Sequence, residues 1–149
     1  MRFALLDRFD APTFVIPGNH DLVGIHNKPL LDYWNDHFAY RYYSFLYGKD
    51  YYLGMDNSNA MEATSFVYKR ASAKFDEEQK QWLLADLDRN AAMPLKVFFF
   101  HVNVNKQEIE ALADQYGAQL ALFGHWHKDT MRAYGKTPTT WIQTKSALD

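Results

Sequence analysis

Cysteine is missing from all 149 residues of the chain. That excludes disulfides, thiolate zinc sites and cysteine nucleophiles. It leaves the redox compartment open, with the cytoplasm the default expectation. No run of about 18 apolar residues occurs, so no membrane-spanning helix is expected. Met1 to Asp7 is too short and too soon charged to read as a signal peptide, and no Asn-x-Ser/Thr acceptor is present. Neither sign of charge is in marked excess, with 16 Lys and Arg against 18 Asp and Glu. The formal net charge is −2, and without a Lys/Arg-rich run there is no nucleic-acid footprint. A phosphate ligand would need local positive charge, which a bound metal can supply.

What remains is ordinary globular material. Hydrophobic residues make up 48% and charged residues 23%, and the length suits one domain over residues 1–149. The ten tyrosines and eleven phenylalanines are read as packing. There is no internal repeat, low-complexity segment or linker.

Periodicity and punctuation give an order of elements. Residues 2–9 read as the end of a helix and 12–16 as a short buried strand, with Pro12 where a missing N–H does least harm. Pro29 can open a helix over Leu30 to His37. Tyr40 to Leu46 and Tyr51 to Met55, joined by Gly48-Lys49-Asp50, predict a hairpin. Residues 57–74 read as a loop. Asp76 is placed as a helix N-cap, with Gln79 three residues on as in a capping box. Leu83, Leu84 and Leu87 give that helix an apolar face to about Arg89, and Asn90 can end it. A strand at 95–100 leads to His101. A helix near 105–116 ends at Gly117, and a strand at 119–123 leads to Gly124. A closing hairpin is expected near 130–134 and 139–144. Helix–strand alternation over 76–123 predicts βαβ crossovers and parallel strands, so the fold class is α/β with added antiparallel hairpins.

Polar residues gather at the ends of the apolar runs. Gly18-Asn19-His20-Asp21 follows residues 12–17, His101 follows Val97 to Phe100, and Gly124-His125-Trp126-His127 follows Leu120 to Phe123. Ligands of open α/β sheets bind outside the carboxyl ends of strands. In an extended segment His125 and His127 would point the same way and Trp126 elsewhere. Neutral imidazole is a common ligand for zinc, manganese, iron and nickel. Asn19 can offer an amide oxygen to a metal. His20 can give a proton to a leaving oxygen, and Asp21 can hold its other ring nitrogen. The bland alternatives are an Asx-turn at 18–21, surface histidines at 125 and 127, and a hydrogen-bonded edge residue at 101.

Taken together, GNHD, a strand-terminal histidine and GHxH, in this order and at these separations, resemble the calcineurin-like metallophosphoesterases. Tyr42-Tyr43-Ser44-Phe45 through Tyr52 to Ser58 is similar to that family's hairpin, and Glu78 to Leu83 to its following helix. The resemblance implies an αββα sandwich of mixed β-sheets flanked by helices. It implies Asn19, His101 and His125 as ligands of one metal and His127 of a second. His20 would act as general acid or transition-state stabiliser, with Asp21 behind it. Such enzymes hydrolyse phosphomonoesters or diesters with hydroxide held at paired metals roughly 3.5–4 Å apart. Manganese, iron, zinc and nickel all suit such a site.

Two motifs of the family pattern are missing. No Asp-x-His and no Gly-Asp-x-x-Asp occurs, so the carboxylates that neutralise and bridge the ions are gone. The expectation is a domain without its N-terminal strands, holding one metal through Asn19, His101 and His125 and hydrolysing esters weakly. Such a loss would bare an apolar sheet face. Three explanations stay open. The chain is a fragment or internal start, its exposed face is covered by a second copy or another chain, or it is a short relative that has lost catalysis. A non-catalytic module that binds metal or phosphate is the alternative function.

Overall fold

The computed structural model describes residues 8, 10–18, 21, 31–38, 40–58, 75–102, 106–134, 136 and 138–145. The expected helix end before residue 8 and the bulk of the loop from 59 to 74 lie outside them. Helix α1 covers Leu31–Phe38, followed by the hairpin β1 (Tyr43–Tyr47) and β2 (Asp50–Gly54). Helix α2 (Glu77–Arg89), β3 (Leu95–Phe99), α3 (Lys106–Tyr116) and β4 (Leu120–Phe123) alternate next. The closing hairpin is β5 (Thr130–Tyr134) and β6 (Thr139–Gln143). These elements stand where the apolar periods and caps put them.

Among the described residues the strands form one six-stranded mixed sheet in the order β1-β2-β3-β4-β6-β5. Strands β2, β3, β4 and β6 are mutually parallel, and each hairpin adds an antiparallel edge. This is an α/β architecture, the helix-backed mixed sheet that the resemblance implies. Among the described residues no helix is long and apolar enough to cross a membrane.

Alternation divides the sheet into two faces. Leu53, Phe98, Ala121 and Trp141 lie in one row across four strands. They pack with Leu83 and Leu87 of α2 and Ile109 and Ala113 of α3 into the buried core. On the opposite face Phe45 stacks on Tyr52 at 4.8 Å, and Phe99 stands edge-on to Phe45. Gly54 is required here, because a Cβ would lie 2.8 Å from the Phe99 ring.

That second face receives residues 14–16. They were expected to form a strand, yet among the described residues they take no sheet partner. Phe14 stacks on Phe45 at 3.8 Å, half exposed, and the Tyr43 hydroxyl donates to the Val15 carbonyl at 2.8 Å. Pro12 and Pro17 remove N–H donors at both ends, so side chains rather than ladder bonds anchor the segment.

The helix ends follow the sequence with one change. Asp76 Oδ1 accepts from the Gln79 N–H at 2.7 Å, and Asn90 closes α2. Gly117 ends α3 with φ +67°, and Ala118 N–H reaches back to the Ala113 carbonyl. The carboxamide of Gln79 does not close a capping box. It is fully buried and pairs with the Asp56 backbone in both directions, at 3.0 and 2.7 Å. A buried strand end needs its backbone polar groups paired.

Tyr51, fully buried, donates to Asp86 Oδ2 at 2.7 Å and joins β2 to α2. Burial, then the bond to Asp86 and its charge, push the phenol well above its ordinary value of 10.0, and burial alone does the same to Tyr43. The unfolded chain therefore ionises first. Both phenols contribute stability that is intact below about pH 10 and lost as pH rises toward the folded values. Tyr51→Phe should cost about 1–2 kcal/mol in urea denaturation at neutral pH. Its stability should fall less steeply than the parent's above pH 10.

Candidate metal centre

Three segments meet at the carboxyl edge of the parallel strands. The ladder carries on past β3, since Phe100 N–H donates to the Leu122 carbonyl at 3.0 Å. The His101 carbonyl then accepts from Gly124 N–H at 3.2 Å. This bond ties the second residue after β3 to the first residue after β4. The His101 and His125 rings stand edge-to-face with centroids 5.3 Å apart and planes at 87°.

Two glycines flank the His101 ring. A Cβ on Gly18 would lie 3.1 Å from Nε2, and one on Gly124 would lie 3.6 Å from Nδ1. The two ring nitrogens thus look toward different loops, Nε2 toward the 18–21 turn. That turn closes on itself: Asp21 N–H donates to the Gly18 carbonyl at 3.0 Å, and Gly18 N–H donates to Asp21 Oδ2 at 2.9 Å. For Asp21 this is the local turn chemistry favoured by Asx residues. Asn19, read as a metal ligand, and His20, read as the catalytic acid, lie outside the described residues.

His125 and His127 do not sit in an extended segment as expected. Both are left-handed, with φ +74° and +52°. The Trp126 N–H reaches back only two residues, to the Gly124 carbonyl at 3.0 Å, and this folds the chain tightly after β4. Alternation therefore does not direct the two imidazoles. His125 is turned toward His101, with Trp126 edge-on to it at 4.9 Å, while His127 is exposed.

Asp56-Asn57-Ser58, to which sequence reading gave no site role, is buried at 0%, 1% and 2% exposure. Asp56 Oδ2 accepts from Arg41 at 2.7 Å, and Arg41 continues to Asp76 at 3.3 Å. Burial pushes the Asp56 carboxyl above its ordinary range, against the pull of Ser58 and Arg41. Asn57 pairs through its amide with both backbone groups of Val102. Ser58 Oγ lies 3.3 Å from the Pro17 carbonyl and 2.9 Å from Asp56 Oδ1. The available signal was a polar trio directly after a strand that ends at the same edge as His101.

Imidazoles suit a divalent cation, and His101 and His125 stand close enough to share one neighbourhood. Among the described residues no group of three His, Asp or Glu side chains is assembled for a metal. The family model for calcineurin-like phosphoesterases matches residues 1–129. The chain belongs to that family. No curated protein matches it significantly. Calcineurin-like phosphoesterases are metal-dependent as a class, and the matched region contains every residue singled out above.

The contact between Gly18 and His101 can be tested directly. In Gly18→Ala the new Cβ would crowd Nε2 and, at 3.2 Å, Asp21 Oδ2. The substitution should shift the His101 ring resonances in NMR spectra. Stability should change by less than about 1 kcal/mol, since the ring lies at a half-open edge.

Proposed function

We propose that this chain is a metal-dependent phosphoesterase, or the C-terminal portion of one, acting on phosphomonoesters or diesters. The supporting observation is the meeting of the 18–21 turn, His101 and His125 at one sheet edge, in a family whose members use metals. Asn19, His101 and His125 hold the first divalent cation in this reading, and His127 belongs to a second. Manganese, iron, zinc and nickel all match these donors. A cation bound there supplies Lewis acidity to the phosphoryl group and makes water more acidic.

The chain's own residues do the rest. His101 is tied to the end of β4 through Gly124, the next residue, Val102, is tied to Asn57 beyond β2, and His125 is turned toward His101. His20 gives a proton to the leaving oxygen, and Asp21, on the same turn, keeps His20 oriented. An amide and three imidazoles bring no negative charge to the cation, so hydrolysis by this chain is expected to be weak.

A second reading is a module that binds metal or phosphate without turnover. The missing Asp-x-His and Gly-Asp-x-x-Asp carboxylates favour it. One experiment separates the two. The protein is loaded with manganese, nickel or zinc, and p-nitrophenyl phosphate and bis(p-nitrophenyl) phosphate are assayed. Metal-dependent hydrolysis should appear. It should fall about 10²–10⁴-fold in His20→Ala with metal content retained, and His125→Ala should lose metal. Hydrolysis unchanged in both variants overturns the site. Stoichiometric metal with no turnover selects the binding module.

A further inference from the structure

The tripeptide Asp56-Asn57-Ser58 does more than finish β2. Met55 N–H still bonds the Phe99 carbonyl at 3.0 Å. The chain then leaves the sheet between the two segments that flank the Gly18–His101 contact. On one side Asn57 takes the Val102 N–H at 3.1 Å and gives its own N–H to the Val102 carbonyl. Val102 is the next residue after His101. On the other side Ser58 reaches the carbonyl of Pro17, the residue before Gly18. The tripeptide is anchored from behind by Gln79 on the Asp56 backbone and by Arg41 on the Asp56 carboxylate.

We propose that Asn57 is a positioning residue for the metal centre, setting His101 against the 18–21 turn. This rests on the metal-centre reading above. The paired amide fixes both polar groups of Val102, so the backbone leaving His101 has one orientation. A single hydrogen bond would leave a pivot. The Ser58 hydroxyl has one proton, shared between Asp56 Oδ1 at 2.9 Å and the Pro17 carbonyl at 3.3 Å, so it supplements this more weakly from the Pro17 side.

A merely structural role would cost stability and nothing else, so the test needs a matched control. Tyr51→Phe breaks a buried bond on the helix-backed face, remote from the edge. Zn²⁺ is titrated calorimetrically into the full chain, its Asn57→Ala, Ser58→Ala and Tyr51→Phe variants, and His125→Ala. The expected result is a loss of about 10–100-fold in Zn²⁺ affinity in Asn57→Ala, the scale seen when a ligand's supporting partner is removed. Ser58→Ala, which deletes one oxygen and should fold, should lose less but still measurably. Tyr51→Phe should bind as the parent does. Any hydrolysis should fall through kcat rather than KM in Asn57→Ala.

Parental Zn²⁺ affinity in both Asn57→Ala and Ser58→Ala, with binding lost in His125→Ala, overturns the proposal alone. If Asn57→Ala does not fold, parental affinity in Ser58→Ala overturns it by itself. A parent chain that binds no Zn²⁺, or binding untouched in His125→Ala, overturns the metal-centre reading and this inference with it.

Discussion

Parallel pairing of four strands is the constraint on which the site depends. It sends β2, β3, β4 and β6 to a common edge, so the residues after Gly54, Phe99, Phe123 and Gln143 emerge side by side. Register does the rest. The row Leu53, Phe98, Ala121 and Trp141 faces the helices, so Phe99 and, by alternation, His101 belong to the opposite face. That face carries residues 14–18. A slip of one residue in β3 would exchange the two sets. Phe98 and Phe100 would leave the core, and His101 would turn away from Gly18. Burying a phenylalanine is worth about 1.5–3 kcal/mol, so the apolar register holds the histidine's side of the sheet more firmly than any polar contact at the edge.

Polar chemistry then sharpens what the core sets. An isolated carboxylate as buried as Asp56 would be costly. Arg41 and two bonds from Ser58 offset that cost, and Gln79 satisfies the backbone of the same residue. Removing one partner from such a network leaves a buried group unmet, at roughly 1–3 kcal/mol. The network therefore has one good arrangement and few near misses. Apolar packing at the same place would tolerate small rotations, which the proposed metal centre would not.

The elements were legible where period and punctuation agreed. Asp76 and Asn90 bracket α2, Gly117 stops α3, and the apolar runs at 95–99 and 120–123 are too short and too continuous for helices. Residues 12–16 show the limit of that logic. Their apolar content predicted a buried strand, but the short run between two prolines lies against a sheet face with residues 12–14 exposed and 15–16 only half-buried. The motif strings showed which segments carry donors, and the parallel topology showed why they meet. The backbone of the GHxH loop was not legible, because its direction is set by a bond from Trp126 to Gly124 and not by strand alternation. Asn57 and Ser58 were hidden differently. Polar residues after a strand look like a turn, and their partners lie 45 and 41 positions away along the chain.

The two left-handed histidines follow from this geometry. A non-glycine residue at positive φ costs about 1–2 kcal/mol, and glycine at either position would remove the cost. Continuing β4 in an extended line would also remove it, but would carry residue 125 beyond the edge and away from His101. The tight fold after Gly124 brings the ring back to within 5.3 Å of its neighbour, and histidine is among the residues that tolerate the left-handed region best. Glycine would relax the backbone and delete the donor. Histidine keeps the ring and accepts the strain, an exchange that the proposed metal centre would account for.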